Sequence, residues 1–357
     1  MAPIDIESPQ EIEWPKWLLD TEPAFPAILN RLDLAEATIR SSLPKKLTYT
    51  RPFNRWLRSE EEKAIQTRNY SDGFLYGKLI ENAEPLRLLD QVVYARSLAV
   101  TREAQTAKWL LNRNDLIGAM VMYRGILEQS ANLASCFREV AKIDAAAPFD
   151  DTLRSHVLLI EFLKLRTHGT RIEWTKLFSL DPDEIFGTKG KDLIGYKPGE
   201  DRMDLTAKSV LGDIDKLDRE LPGTRATYDI LCEFLHPNVG GCIGVTGSAQ
   251  PVPAAAGVGT PLVEKTLWAG PPVGFVLEGA RFMSRLFEQF ARTLEHYAGL
   301  LNQQPEARKA CVALVQRINR QILTNNPSFK HPYLECPCGS GNKLRFCCST
   351  TKAPEHN

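Results

Sequence analysis

From Asn114 to Arg138 the chain reads NDLIGAMVMYRGILEQSANLASCFR, and between Leu116 and Phe137 only Arg124 and Glu128 carry charge. A segment that is apolar nearly all round predicts a helix buried on most of its faces. Other helices must pack around it, and the Arg124–Glu128 pair, one turn apart, is expected in or near the core. Asn114 or Asp115 is placed to cap this central helix.

Around it the 3.6-residue period recurs. Pro85 to Leu111 is helical in pattern, with Ala95, Ala99 and Ala104 suited to close packing. Asp150 and Asp151 open DDTLRSHVLLIEFLKLRTH, and Gly169 supplies a stop. Residues 170–202 form a charged connection, with a short helix expected at Glu173 to Leu180. Leu205 to Leu221 is helical and closed by Pro222-Gly223, after which Thr224 is read as the cap of TRATYDILCEFLH. The Gly/Pro/Ala segment to about 273 cannot be regular helix, although Val245 and Val252 permit short strands. Phe275 to Leu301 and Pro305 to Leu323 complete the helices, the second ended by Asn325-Asn326-Pro327. Residues 1 to about 60 are punctuated by proline, with Trp14, Trp17, Phe25, Phe53 and Trp56 among charges. They read as an extended arm with short helices, its aromatics packed on the body, and Ser59 is a plausible cap there.

Composition narrows this picture. Lys plus Arg and Asp plus Glu are equal at 44 each. That balance argues against a general nucleic-acid coat or a polybasic membrane anchor. The first residues have no basic and apolar regions of a secretory signal, and no run of about twenty apolar residues exists to span a membrane. Of eight cysteines, Cys136, Cys232, Cys242 and Cys311 are scattered in apolar surroundings. Scattered thiols are usually small core residues in a reducing compartment, so a cytoplasmic location is expected.

The other four cysteines are clustered. The tail YLECPCGSGNKLRFCCS sets Cys336, Cys338, Cys347 and Cys348 in a C-x-C-x8-C-C spacing. Four thiolates at about 2.3 Å around one ion make a closed structural zinc site, and Gly339-Ser340-Gly341 lets the loop fold back. A pair of surface disulfides is the alternative. CPCGSGNKLRFCC resembles the SEC-C motif, the zinc-binding tail first known from the bacterial preprotein translocase motor SecA, whose pattern is C-P-C-G-S-G-K-K-[YF]-K-x-C-C or C-H. Asn342 and Leu344 stand where a lysine and an aromatic are common, while Lys343, Arg345 and Phe346 keep basic and aromatic character nearby. The resemblance implies that Cys336, Cys338, Cys347 and Cys348 ligate zinc, and that the module contacts a partner protein. It implies no translocase, since no Walker A motif is present: Gly190-Lys191 is followed by Asp192, with Ile at 185.

In the body, Arg124 and Glu128 share a face with Ile117, Met120, Val121, Leu127 and Ala131. A buried ion pair contributes little net stability, so the pair is either a site or a mutual tie at a partly wet interface. Asp229, Glu233 and His236 fall on one helical face, with Pro237-Asn238 following. Glu-x-x-His is half of a di-iron carboxylate signature, but no second copy occurs. His236 and Asn238 more simply tie the loop to the helix's last carbonyls. YRGILE with YDILCEFLHPN is similar to a bacterial helical family, and that resemblance implies that Arg124, Glu128 and His236 converge. Some such helical domains have been compared with HEPN-type ribonucleases, which use R-x4-6-H on a helix; here Arg292 to His296 is one residue short and Arg225 to His236 too long.

The expected chain is therefore mainly α: a proline-punctuated arm (1–84), a multi-helix bundle with an irregular Gly/Pro-rich insertion (85–326), and a small C-terminal zinc knuckle (332–350). The expected role is a protein-interaction or regulatory module. The alternatives are an enzyme or toxin-like effector, such as a nuclease in phage defence, with Arg124, Glu128, Glu233 and His236 lining its site, and a nucleic-acid-binding zinc protein.

Overall fold

The computed structural model describes residues 25–43, 66, 75, 77–79, 81–113, 115–168, 210–235, 246–251, 263–267, 280–329 and 335–350. It is mainly helical: α1 (Phe25–Ser42), α2 (Glu84–Asn112), α3 (Leu116–Val140), α4 (Phe149–His168), α5 (Leu211–Glu220), α6 (Thr224–Leu235), α7 (Ala280–Leu301) and α8 (Gln304–Thr324). Strands β1 (Thr246–Pro251) and β2 (Val263–Leu267) pair antiparallel, with an irregularity between Thr246 and Ala249. A 3-10 turn at Leu344–Phe346 lies in the cysteine-rich tail. Ser59, the segment Glu173 to Leu180, Gly169, His236, Asn238 and the aromatics Trp14, Trp17, Phe53 and Trp56 lie outside the described residues. No described helix is long and apolar enough to cross a membrane.

The chain divides into two compact units, one gathering Met1–Leu43, Ala95–Ala134 and Val210–Asn302, the other Pro44–Tyr94, Ser135–Ser209 and Gln303–Asn357. In the first, α1 packs along α7. Ile28, Leu29, Leu32, Ala35 and Ile39 recur at helical spacing and are buried. This stripe sustains an 18-residue helix, longer than the short pieces expected of the arm. On its polar side Arg31 reaches Glu288 and Glu295 of α7 at 2.6 and 2.7 Å.

The central helix begins at Leu116 because the Asp115 carboxylate accepts the Gly118 N–H at 2.8 Å. Ile126, Leu127, Ala131 and Leu133 of α3 are fully buried. Tyr123 stacks on Phe290 with ring centroids 4.1 Å apart. Its hydroxyl lies 3.4 Å from Thr293 Oγ1, and Ser97 and Tyr297 pair their hydroxyls at 3.1 Å, so these buried polar groups are satisfied.

Between α5 and α6 the chain turns at Gly223, whose φ of 95° suits glycine. The expected cap at Thr224 takes another form. Its hydroxyl donates to Leu221 O at 2.6 Å, and Asp218 Oδ1 accepts the N–H groups of Gly223 and Arg225, each at 3.0 Å. The acceptor comes from the preceding helix because the Pro-Gly turn brings that carboxylate over the exposed N–H groups.

In the second unit α4 packs against α8. Arg317 donates to Ala147 O at 3.0 Å, His156 Nε2 to Asn82 O at 3.0 Å, and the Asn82 amide to Asn319 Oδ1 at 2.9 Å. Burial lowers the His156 pKa against the opposing bond to Asn82 O, favouring the neutral ring. Arg308 of α8 faces Asp90 of α2 at 3.5 Å.

Candidate metal centre

The tail folds back on itself by short-range bonds. Cys336 N–H donates to Asn342 O at 2.6 Å and Gly339 N–H to Cys336 O at 3.2 Å, while Glu335 and Lys343 form an antiparallel bridge. Gly339 and Gly341 have φ of 76° and 77°, a left-handed conformation that side chains with a Cβ rarely adopt. The 3-10 turn then carries the chain to the second cysteine pair, closed by Cys347 N–H to Leu344 O at 3.1 Å and Ser349 Oγ to the same carbonyl at 2.7 Å. Leu344 is 1% exposed. With the buried Pro337 it is an apolar anchor of this segment.

That backbone brings Cys336, Cys338, Cys347 and Cys348 together. All four are buried, and their sulfurs lie within 4.8 Å of one another. Cys336 and Cys348 sulfurs are 3.1 Å apart, those of Cys338 and Cys347 3.5 Å. Four sulfurs bound at about 2.3 Å in a tetrahedron stand about 3.8 Å apart. The donor set therefore fits a single ion. No disulfide joins these four cysteines in the structure. S–H donation from Cys336 lowers the Cys338 and Cys347 pKa values, while contacts with the other thiols push Cys336 and Cys348 up. Ser340 Oγ lies 3.2 Å from both Cys338 and Cys347 sulfurs. From α8, the Gln316 amide reaches Cys338 Sγ at 3.6 Å and Cys347 Sγ at 3.4 Å. Lys343, Arg345 and Phe346 are exposed on the knuckle's outer edge, Phe346 at 58%.

The body candidates have a different character. Arg124 Nε and Glu128 Oε1 are 3.1 Å apart, their side chains 30% and 34% exposed, so the pair sits at a partly wet surface of α3. Tyr228 of α6 joins them: Arg124 donates to its hydroxyl at 3.1 Å, and that hydroxyl donates to Glu128 Oε1 at 3.1 Å. The guanidinium carbon also lies 5.2 Å from the Tyr228 ring centroid. Glu233 is exposed on α6, and five residues of helical rotation set it about 140° around from Tyr228. His236 lies outside the described residues, so the convergence expected of it stays an expectation. Tyr228 was in plain view within YDILCEF but carried no signal of its role.

A further carboxylate approaches this cluster from α2. An added Cβ at Gly125 would lie 2.8 Å from Glu103 Oε1, so the glycine makes room for that side chain. Burial, reinforced by Glu128, raises the Glu103 pKa from 4.5 to about 7, against a hydrogen bond from Gln129 and the charge of Arg96. The folded protein thus holds this proton more tightly than the unfolded chain does. Its ionisation costs nothing below about pH 4.5, costs more as pH rises, and costs fully above about pH 7. Glu103→Gln is expected to raise the urea midpoint more at pH 8 than at pH 5, and equal gains at both would contradict this. No family model, curated protein or solved structure matches this chain.

Proposed function

We propose that the C-terminal cluster is a structural zinc site of SEC-C type, and that the knuckle it folds presents a protein-contact surface. The observation that carries this reading is the convergence of four buried cysteine sulfurs within 4.8 Å. Thiolate-only tetrahedra select zinc or iron among common metals, and the resemblance of CPCGSGNKLRFCC to the SEC-C motif favours zinc. The chemistry a bound zinc supplies is structural, with all four coordination positions filled by protein. The exposed Lys343, Arg345 and Phe346 then offer two cations and an aromatic anchor on a rigid turn, a composition enriched at binding hot spots.

The Arg124–Tyr228–Glu128 cluster is read as a tie between α3 and α6, because Arg124 and Glu128 pair at 3.1 Å and the Tyr228 hydroxyl bonds to both. The protein is on this reading an interaction or regulatory module rather than an effector enzyme.

The test is affinity capture with full-length protein as bait. Arg345→Ala with Phe346→Ala is expected to lose a captured partner at least about tenfold while keeping its metal. Cys336→Ser with Cys347→Ser is expected to lose the same partner. Unchanged recovery with both variants would count strongly against a contact role.

A further inference from the structure

The knuckle belongs to the same compact unit as α8 and the first part of α2, and its contacts with them have a chemical pattern. Arg308, Val312 and Gln316 stand at i, i+4 and i+8 on α8, which is one face of a helix. A Cβ on Gly339 would meet Leu86 Cδ1 at 3.0 Å, with an Arg308 nitrogen and Val312 Cγ2 both at 3.9 Å. The first cysteine loop is therefore pressed backbone-first against α2 and α8. One helical turn beyond Val312, Gln316 points its amide nitrogen at the sulfurs of Cys338 and Cys347, at 3.6 and 3.4 Å. It touches one cysteine from each pair, the two that the long part of the loop must bring together.

A glutamine amide on two sulfurs is informative because sulfur is a weak acceptor when neutral. It becomes a good acceptor when it is a thiolate. Four thiolates outweigh the charge of one divalent ion, so a loaded site is net negative and gains from N–H donors around it. The Ser340 hydroxyl lies 3.2 Å from each of the same two sulfurs, accepting from Cys338 and placed to donate to Cys347. Gln316 supplies its amide from outside the motif, on a helix of the body.

We infer that Gln316 is a positioning residue for the metal site, holding Cys338 and Cys347 by N–H···S bonds so that the bound ion clasps the knuckle onto α8. The inference rests on the metal reading above and extends it. The knuckle is a part of the helical unit, and its outer edge is presented in a fixed orientation. Loss of the ion would then release a contact to α8 as well as unfold the tail.

The experiment uses full-length protein loaded with zinc for release kinetics and with cobalt(II) for spectroscopy. Gln316→Met keeps length and removes the donor, Gln316→Glu replaces it with a negative charge, and Gln316→Lys keeps an N–H donor. Transfer of zinc to a chromophoric chelator is expected to be about tenfold faster in Gln316→Met, and faster still in Gln316→Glu. Gln316→Lys is expected to stay near wild type. In the cobalt protein, loss of the N–H···S bonds is expected to move the sulfur-to-metal charge-transfer band to longer wavelength in Gln316→Met and Gln316→Glu, a change that helix packing alone would not produce. Metal-loaded Gln316→Met and Gln316→Glu with wild-type release and an unmoved band would overturn the role of Gln316 and leave the metal site standing. Wild-type protein that takes up neither zinc nor cobalt would overturn both.

Discussion

Cys336→Ser combined with Cys347→Ser is expected to bring bound metal from about one ion per chain to near none, measured by elemental mass spectrometry. Each substitution strikes a different close sulfur pair, Cys336 with Cys348 and Cys338 with Cys347. Two thiolates and two poorly ionised hydroxyls do not rebuild a tetrathiolate site. The effect is large because this segment has little else to fold it. Apart from the cysteines, Pro337 and Leu344 are the knuckle's buried residues among the described residues of 335–350. Metal binding at such sites is folding free energy, on the order of 10 kcal/mol or more. Hydrogen exchange should accordingly show residues 335–350 losing protection in the double variant, while α1 to α7 keep theirs. Zinc retained at full occupancy would sink the assignment of these ligands. Iron or manganese retained by the variant would instead direct attention to carboxylates of the helical body.

The cysteine cluster was legible in the sequence because its residues are local: spacing alone closes the loop, with two glycines at the turns. The central helix was legible for a similar reason, since its apolar run is continuous, and the Asp115 carboxylate accepts a first-turn N–H at its start. What stayed hidden depends on segments far apart in the chain. Nothing in VALVQRINR marks Gln316 as facing two sulfurs. Nothing in the sequence around Glu103 says that a glycine on α3 will receive it. The i, i+4 spacing of Arg124 and Glu128 was readable, but its half-exposed setting depends on Tyr228 arriving from α6. The length of α1 is hidden in the sequence because prolines at and beyond both of its ends, Pro23, Pro26 and Pro44, read as breaks. Its Ile28, Leu32, Ala35 and Ile39 carry the helical period, and the partner that makes the stripe meaningful, α7, begins more than two hundred residues later.

Two residues of α3 separate the core from the candidate site with a second large effect. Leu127 is 0% exposed, so Leu127→Ala loses its transfer free energy and leaves a cavity in a packed interior, a cost of about 2–5 kcal/mol. Arg124, three positions earlier, is 30% exposed and pairs with a carboxylate of similar exposure. Partly solvated pairs of this kind contribute at most about 1 kcal/mol, and Tyr228 keeps its bond to Glu128 when the guanidinium is gone. Arg124→Ala is therefore expected to shift the urea midpoint only slightly, while Leu127→Ala shifts it several times as far. A cost for Arg124→Ala equal to that of Leu127→Ala would place the ion pair in the core after all. A small cost leaves the Arg124–Tyr228–Glu128 cluster at a solvated seam where α3 meets α6, held by its own three side chains and not needed to hold the bundle together.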